Sequence, residues 1–437
     1  MNITNRKIWN FSWPVILSNI SIPILDICNT GILGHLPDPI YLAGFALGIM
    51  LVDYIYVSLN FLRMGTTGLT AQAFGNKNNS EIVNSLFRSL MISISIGIFL
   101  VCVQSFISKI AFNLFLGSPE VERLGKEYYF IRIFSAFACL SNFAIAGWLL
   151  GIQRPKLALF IQIFMNGLNV LLALVFVLKL DYKLQGLAYA TVISEILTFI
   201  IGMILVCFVI KRDFVSGISA SFYNLFNKEK IKQIFKLNGN IFIRSILLIS
   251  AFAWFTNFGA QQGDVILAAN EILILFLLFM SFALDGFAQA SEILVGDSIG
   301  AKNLKNLKTS IRLCGLWALS FAIGFSFVYY FCGGYIIDLL TSIPDVRVAA
   351  KEYLIWLSVL PLVGIWCYLL DGVFIGATES SAMRDTMIIS FIIYSICVNI
   401  FIPIFGNNGL WFSLLIFLGG RAGGLYLFLP RIYKKST

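Results

Sequence analysis

Twelve apolar stretches of spanning length run through this chain, near residues 10–33, 41–62, 86–108, 128–151, 157–178, 186–210, 240–262, 265–290, 311–334, 352–376, 385–405 and 408–430. A helix of about 20 apolar residues crosses the hydrocarbon core of a bilayer. In lipid, only helices and closed barrels satisfy all of their own backbone hydrogen bonds. The expected fold is therefore an all-α integral membrane protein of twelve transmembrane helices. With 59% of residues apolar and 12% charged, no polar surface is left for a soluble domain of this size. Breaks between spans fall at clusters such as Leu36-Pro37-Asp38-Pro39 and Gln153-Arg154-Pro155-Lys156.

The formal charge of +9 reads as topology. Of the 31 lysines and arginines, 21 lie in the termini and even-numbered loops, counting Arg88 and Arg312 at the adjoining span ends, and seven in the odd-numbered loops; Arg132, Arg244 and Arg421 fall deeper inside spans. Basic residues near span ends stay in the cytoplasm, so both termini and the linker 211–239 are expected there. The basic residues are not interleaved with aromatics on a soluble face, so no nucleic acid is expected as a partner. Arg6 and Lys7 precede an apolar run that continues past Ile32 without a small-residue cleavage site, so this run reads as the first span. His35 is the only histidine, and the eight cysteines include no CxxC pair, which removes the usual parts of zinc and hydrolytic sites. An enzyme, a metal or an organic cofactor is not expected.

One constant shift along the sequence, the shift that carries Gly75 onto Gly300, also aligns Lys77 and Asn78 with Lys302 and Asn303. It places Pro119 on Pro344, Lys126-Glu127-Tyr128 on Lys351-Glu352-Tyr353, and Gly151 on Gly376. Such a constant offset marks a duplication. Six spans per half is an even number, so both halves enter on the same membrane side, and a pseudo-twofold along the membrane normal is expected. The expected organisation is an N-terminal six-helix lobe over 1–210, a cytoplasmic linker over 211–239 and a C-terminal six-helix lobe over 240–437. This is the design of a rocking transporter. A channel would advertise a filter or a ring of repeated charges.

Three stretches carry a family resemblance: PVILSNISIPILDICNTGILGHL from Pro14 to Leu36, FLRMGTTGLTAQAFG from Phe61 to Gly75, and the paired Leu-Asp-Gly contexts at Asp285 and Asp371. Over nearly its whole length the chain resembles the multidrug and toxic compound extrusion (MATE) family, DinF-like subgroup. The resemblance implies a secondary antiporter of the bacterial inner membrane. It would export organic cations or amphiphilic drugs and metabolites in exchange for protons or sodium, by alternating access. Surrounding membrane lipid and a monomeric state go with that expectation.

The resemblance also implies a cation pocket in the first lobe, and here the chain departs from the pattern. The carboxylate expected in the first helix is replaced by Asn29, and a second, expected after Asn166 and Asn169, is replaced by Ala173. Asn169 and Thr191 match positions that line the pocket in relatives. Asp26, three residues before Asn29 and beside Pro23, projects toward nearly the same helix face and is the candidate replacement. A lone carboxylate there would suit a proton better than sodium, which wants several oxygens.

Other intramembrane polar residues are cavity-lining or structural candidates, because a charge at mid-bilayer must face protein or water. Asp53 lies mid-span in the second helix, and Asp285 and Asp371 sit beside glycines that admit a neighbouring backbone. Arg244 needs an acid partner, and Glu195, Glu271 and Glu292 rank lower. Gly65-Thr66-Thr67-Gly68 reads as close helix packing. Two other functions remain open: a degenerate uncoupled facilitator, which the loss of acids at Asn29 and Ala173 favours, and a lipid or lipid-precursor flippase, which too few intramembrane arginines disfavour.

Overall fold

The computed structural model describes residues 3–114, 118–215 and 225–436. Its helices are α1 (Asn5–Gly34), α2 (Ile40–Leu59), α3 (Phe61–Gly75), α4 (Asn79–Leu114), α5 (Pro119–Ile133), α6 (Ala136–Gly151), α7 (Pro155–Ala173) and α8 (Lys183–Asp213) in the first half. The second half holds α9 (Lys228–Ala260), α10 (Asp264–Gly300), α11 (Leu304–Leu340), α12 (Pro344–Gly376), α13 (Ser380–Phe405) and α14 (Asn407–Lys434). Eleven stretches are long and apolar enough to cross a membrane, and α5 with α6 makes a twelfth that is bent by 55°. Among the described residues there is no strand. The chain is a multi-pass, all-helical membrane protein.

The expected fourth span, 128–151, is thus not one straight helix. At the break, the Phe134 and Ser135 amides bond back only three residues, to the carbonyls of Ile131 and Arg132. The side chains of Arg132 and Ser135 are both held by a buried acid described below. Helical structure also reaches further into the linker 211–239 than its polar composition implies. α8 ends at Asp213 and α9 begins at Lys228, while 216–224 lie outside the described residues.

The duplication is written in the backbone. Left-handed φ angles occur at Lys77 and Lys302 (54° and 50°), at Gln153 and Thr378 (62° and 54°), and at Asp181 and Gly406 (54° and 57°), and the same constant shift relates the members of every pair. The first two pairs end helices in the same way. The amides of Asn78 and Asn303 reach back to the carbonyls of Ala73 and Ser298 at 3.0 and 2.9 Å, and those of Arg154 and Glu379 reach Leu149 and Phe374 at 2.8 and 2.9 Å. This is the Schellman closure, in which a left-handed residue just past the helix satisfies carbonyls that would otherwise be orphaned. Lysine, glutamine and threonine are disfavoured in that conformation, and here they adopt it at matched positions.

Close packing repeats at the same offset. A Cβ on Gly147 would overlap the carbonyl of Arg63, and one on Gly372 would overlap that of Ala288. A Cβ on Gly151 or Gly376 would crowd the carbonyls of Thr67 and Glu292. Small residues four apart let two helix backbones touch, which in lipid replaces the hydrophobic drive to associate. In the first half, hydroxyls extend the contact: Thr66 Oγ1 donates to Ser89 Oγ at 2.8 Å, and Thr70 Oγ1 lies 2.9 Å from Ser85 Oγ. The packing expected of the Gly65–Gly68 stretch is what it does.

The chain forms two compact units, residues 17–234 and residues 1–16 together with 235–437. The first sixteen residues therefore group with the second half, whereas a lobe boundary at 210 places them in the first. The cause is aromatic and steric. Trp9 lies 5.6 Å from Trp317, whose Nε1 donates to Asn5 Oδ1 at 3.2 Å, and Gly286 has room only for the Ser12 carbonyl and Ile16 against it. α1 itself stays helical through Pro23.

Candidate functional site

In the unit 17–234, the polar residues of the expected pocket differ in their hydrogen-bond partners. Asn169, 1% exposed, donates through Nδ2 to Thr191 Oγ1 at 2.9 Å, and its Oδ1 has no hydrogen-bond partner. Asn166 instead ties α7 to α1, with Nδ2 donating to the Ser21 carbonyl at 3.1 Å and to Ser21 Oγ at 2.8 Å, while its Oδ1 accepts from Gln162 at 3.1 Å. Asn29 is buried, and its Oδ1 also lacks a partner. A π-helical segment, Leu174–Lys179, follows directly on buried Ala173. The replaced position therefore adjoins a local rewinding of α7, of the kind often found at functional sites.

Asp26 does not share the burial of Asn29. It is exposed, as is Asp53 on α2. Asp53 lies within electrostatic range of both Asp26 and Arg132. Neither acid makes a hydrogen bond or ion pair with another described residue. The expectation of a lone carboxylate is corrected here, because Asp26 has a second acid as its electrostatic neighbour. The reason is tertiary: α1 and α2 bring together residues of two different spans.

Sequence reasoning missed the buried pair of this unit. Arg132 at the end of α5 donates through Nη1 and Nη2 to the Glu195 carboxylate on α8, at 3.0 and 3.1 Å, and both residues are 5% exposed. Ser135 Oγ adds a 2.5 Å bond to the same carboxylate, Asn142 Nδ2 donates to the Glu195 carbonyl at 3.0 Å, and the guanidinium lies 5.7 Å from the Tyr56 ring centroid. A two-bond arginine–carboxylate fork is among the strongest hydrogen-bonded arrangements. Its signal was available: opposite intramembrane charges on the fourth and sixth spans.

In the other unit, Arg244 meets Asp371. The same carboxylate oxygen accepts from Arg421 Nη2 at 2.7 Å, so one acid on α12 serves guanidinia from α9 and α14. Arg421 is 2% exposed. Gly372, beside this acid, is where α12 touches α10. Asp285 is half-buried and lies within electrostatic range of Tyr368 and Cys367, with Tyr368 accepting from Ser281 Oγ at 2.9 Å. Glu271 accepts a 3.2 Å bond from Thr256, and Glu292 is buried. Among the described residues, no three histidine, cysteine or carboxylate side chains are grouped to hold a metal ion.

Spanning helices in two duplicated halves, with charges kept inside by pairing and two acids left accessible, define the class of multi-pass membrane transporters. The MatE family model matches twice, over residues 14–175 and 241–402, once in each half of the duplication. This chain belongs to the MatE family, the multidrug and toxic compound extrusion transporters. It is 36% identical to DNA damage-inducible protein F of Escherichia coli (strain K12), over 99% of this chain and 94% of that protein. It is 22% identical to a probable multidrug resistance protein NorM of Bacillus thuringiensis subsp. konkukian (strain 97-27), over 100% of this chain and 98% of the other. Among solved structures, a MOP-superfamily transporter from Pyrococcus furiosus superposes with a TM-score of 0.88 at 18% identity, covering 99% and 97% of the two chains. A multidrug resistance MATE family transporter in an outward-facing conformation gives 0.87 at 18% identity, covering 99% and 96%. The relatives are transporters, which fits the expectation that the chain is not an enzyme.

Proposed function

We propose that this protein is a secondary antiporter that exports organic cations or amphiphilic drugs and metabolites in exchange for protons, working by alternating access in a bacterial inner membrane. The observation that carries the reading is the Asp26–Asp53 pair: two accessible carboxylates, within electrostatic range of each other and without hydrogen-bonded partners, on helices that cross the membrane. Two like charges in one place repel, and any cation arriving between them relieves the repulsion. A proton on one carboxylate and a cationic substrate near both are therefore alternatives. That competition is what exchange needs, provided the two membrane-facing states bind the cation with different affinities.

Protons ask less of this site than sodium. Sodium must replace its water with several oxygens, and the amide oxygens of Asn29 and Asn169 are buried where Asp26 and Asp53 are exposed. The distribution of basic residues supports cytoplasmic termini. The buried arginines Arg244 and Arg421 already share Asp371, which leaves little free positive charge for a lipid-phosphate cargo and argues against a flippase.

The test is efflux of a fluorescent organic cation from proteoliposomes under an imposed pH gradient, an imposed sodium gradient, or none. Efflux accelerated by the pH gradient supports the reading. Equal rates under all three conditions would leave an uncoupled facilitator, the outcome that the replacements at Asn29 and Ala173 favour.

A further inference from the structure

The first turns of α11 carry Lys305, Lys308 and Arg312 on one face, at spacings of three and four residues. All three are exposed, and none forms an ion pair with a described acid. Lys308 and Arg312, with Thr309, Leu313 and Leu316, line a shallow groove of about 250 Å³. The Lys308 ammonium lies 5.6 Å from the ring centroid of Tyr433, near the end of α14.

Below the cations the same face turns apolar and stays exposed. Continuing at helical steps of three, four or seven residues, it presents Leu316, Ile323, Phe327 and Tyr330, which are 51%, 43%, 60% and 60% exposed. Between Arg312 and Asp338, residues 313–337 carry no charge. At 1.5 Å per residue this stretch makes about 37 Å of helix, enough to cross a hydrocarbon core of about 30 Å. Arg312 therefore stands at headgroup level, with the exposed apolar face running from it into the acyl region.

Neither the duplication nor helix stability accounts for the three cations. The equivalent positions in the first half hold Ser80, Val83 and Phe87. In that half, α4 has Glu81 in its first turn, and Arg88 is paired with it at 2.9 Å. The first turn of α11 contains no acid. Positive side chains stand at the positive end of a helix dipole with no acid of that turn to balance them. Topology alone asks for basic residues on that side of the membrane, but not on one helix face in line with an exposed apolar stripe.

We infer that this face of α11 is a binding site for an anionic phospholipid, whose phosphate sits among Lys305, Lys308 and Arg312 while an acyl chain lies along Leu316, Ile323 and Phe327. The chemistry fits a headgroup of net negative charge on a two-tailed lipid. Basic patches at the membrane surface attract such lipids, and the apolar stripe adds chain contact that a free anion cannot use.

Native mass spectrometry of the full-length protein, delipidated and titrated with phosphatidylglycerol or phosphatidylcholine, tests the site. The wild-type protein is expected to retain phosphatidylglycerol at least fivefold better than phosphatidylcholine, and Lys305→Gln, Lys308→Gln, Arg312→Gln combined should remove the difference. Lys308→Gln and Arg312→Gln alone should each lower it, which keeps the test decisive if the triple variant does not fold. Lys232→Gln, an exposed cation on α9, should leave it unchanged. Equal retention of the two lipids, undiminished phosphatidylglycerol binding in the variants, or displacement of the lipid by millimolar inorganic phosphate would overturn the proposal; the last would make this a free-anion site.

Discussion

Arg132 and Glu195 pair through two hydrogen bonds inside the first unit, and the second unit carries the same kind of pair with its signs exchanged. Glu195 on α8 corresponds, by the shift that relates the two halves, to Gly420, which precedes Arg421 on α14. Arg132 belongs to the fourth span, and Asp371, the partner of Arg421, to the tenth, which repeats it. Each unit thus holds an ion pair between equivalent spans, acid and base swapped, and in the second unit Arg244 is a further partner of the acid. A charge on either helix needs an opposite charge on the other, and the duplicated packing is indifferent to which helix carries which sign.

Removing one member of the first pair should be far worse than removing both. Glu195→Ala leaves the Arg132 guanidinium buried without its carboxylate, an expected loss of about 3–5 kcal/mol. Arg132→Met combined with Glu195→Leu should recover most of it. Unfolding of the singles and the double in detergent reads the difference, and a double variant no better than the poorer single would contradict the account.

Asp371 holds two arginines, so its loss should cost more than the loss of either. Asp371→Asn orphans both Arg244 and Arg421, whereas Arg244→Gln leaves Arg421 paired. Thermal melting of the two variants should show Asp371→Asn as clearly the less stable. A melt in which Arg244→Gln matches Asp371→Asn would show that the second arginine contributes nothing.

The helix contact at Gly372 leaves no room for a methyl group. Gly372→Ala should destabilise by about 1–3 kcal/mol through overpacking against the Ala288 backbone. Gly239→Ala, where nothing lies within 4 Å of the added Cβ, should be neutral or stabilising by up to about 1 kcal/mol. Similar losses at both glycines would mean that the helix contact is looser than its geometry.

On the proposed function, coupling belongs to the Asp26–Asp53 pair. Asp26→Asn is expected to abolish pH-driven efflux while leaving the fold intact, and Asp53→Asn should weaken it at least tenfold. Asn29→Asp should introduce sensitivity to sodium by adding a carboxylate at the position where the family resemblance implies one. If Asp26→Asn transports at the wild-type rate under a proton gradient, coupling passes to Asp285 and Asp371.

Topology has its own check at Lys232, an exposed residue near the start of α9. In a cysteine-free background, Lys232→Cys should resist an impermeant maleimide in intact cells and react in inverted vesicles. Labelling in intact cells would reverse the orientation.

The sequence by itself determined the number of spans, the duplication and the family, because each is carried by a local or strictly periodic signal. Apolar length needs no partner to be recognised, and a fixed offset survives wherever the backbone imposes it, as at Lys77 and Lys302 or Gly147 and Gly372. Only the tertiary structure decided which charges meet. Asp26 reads from its own helix as the neighbour of Asn29, yet it is exposed and faces the charge of Asp53 from another helix. Arg132 and Glu195 come from distant parts of the chain, and the helix breaks at Ser135, which bonds to the same Glu195 carboxylate. Helical periodicity fixes the direction of a side chain to within a turn, but not which neighbouring helix fills the space it enters. In this protein that choice, made by close glycine contacts and by the need to neutralise buried charge, separates the acids that hold the fold together from Asp26 and Asp53, which are exposed.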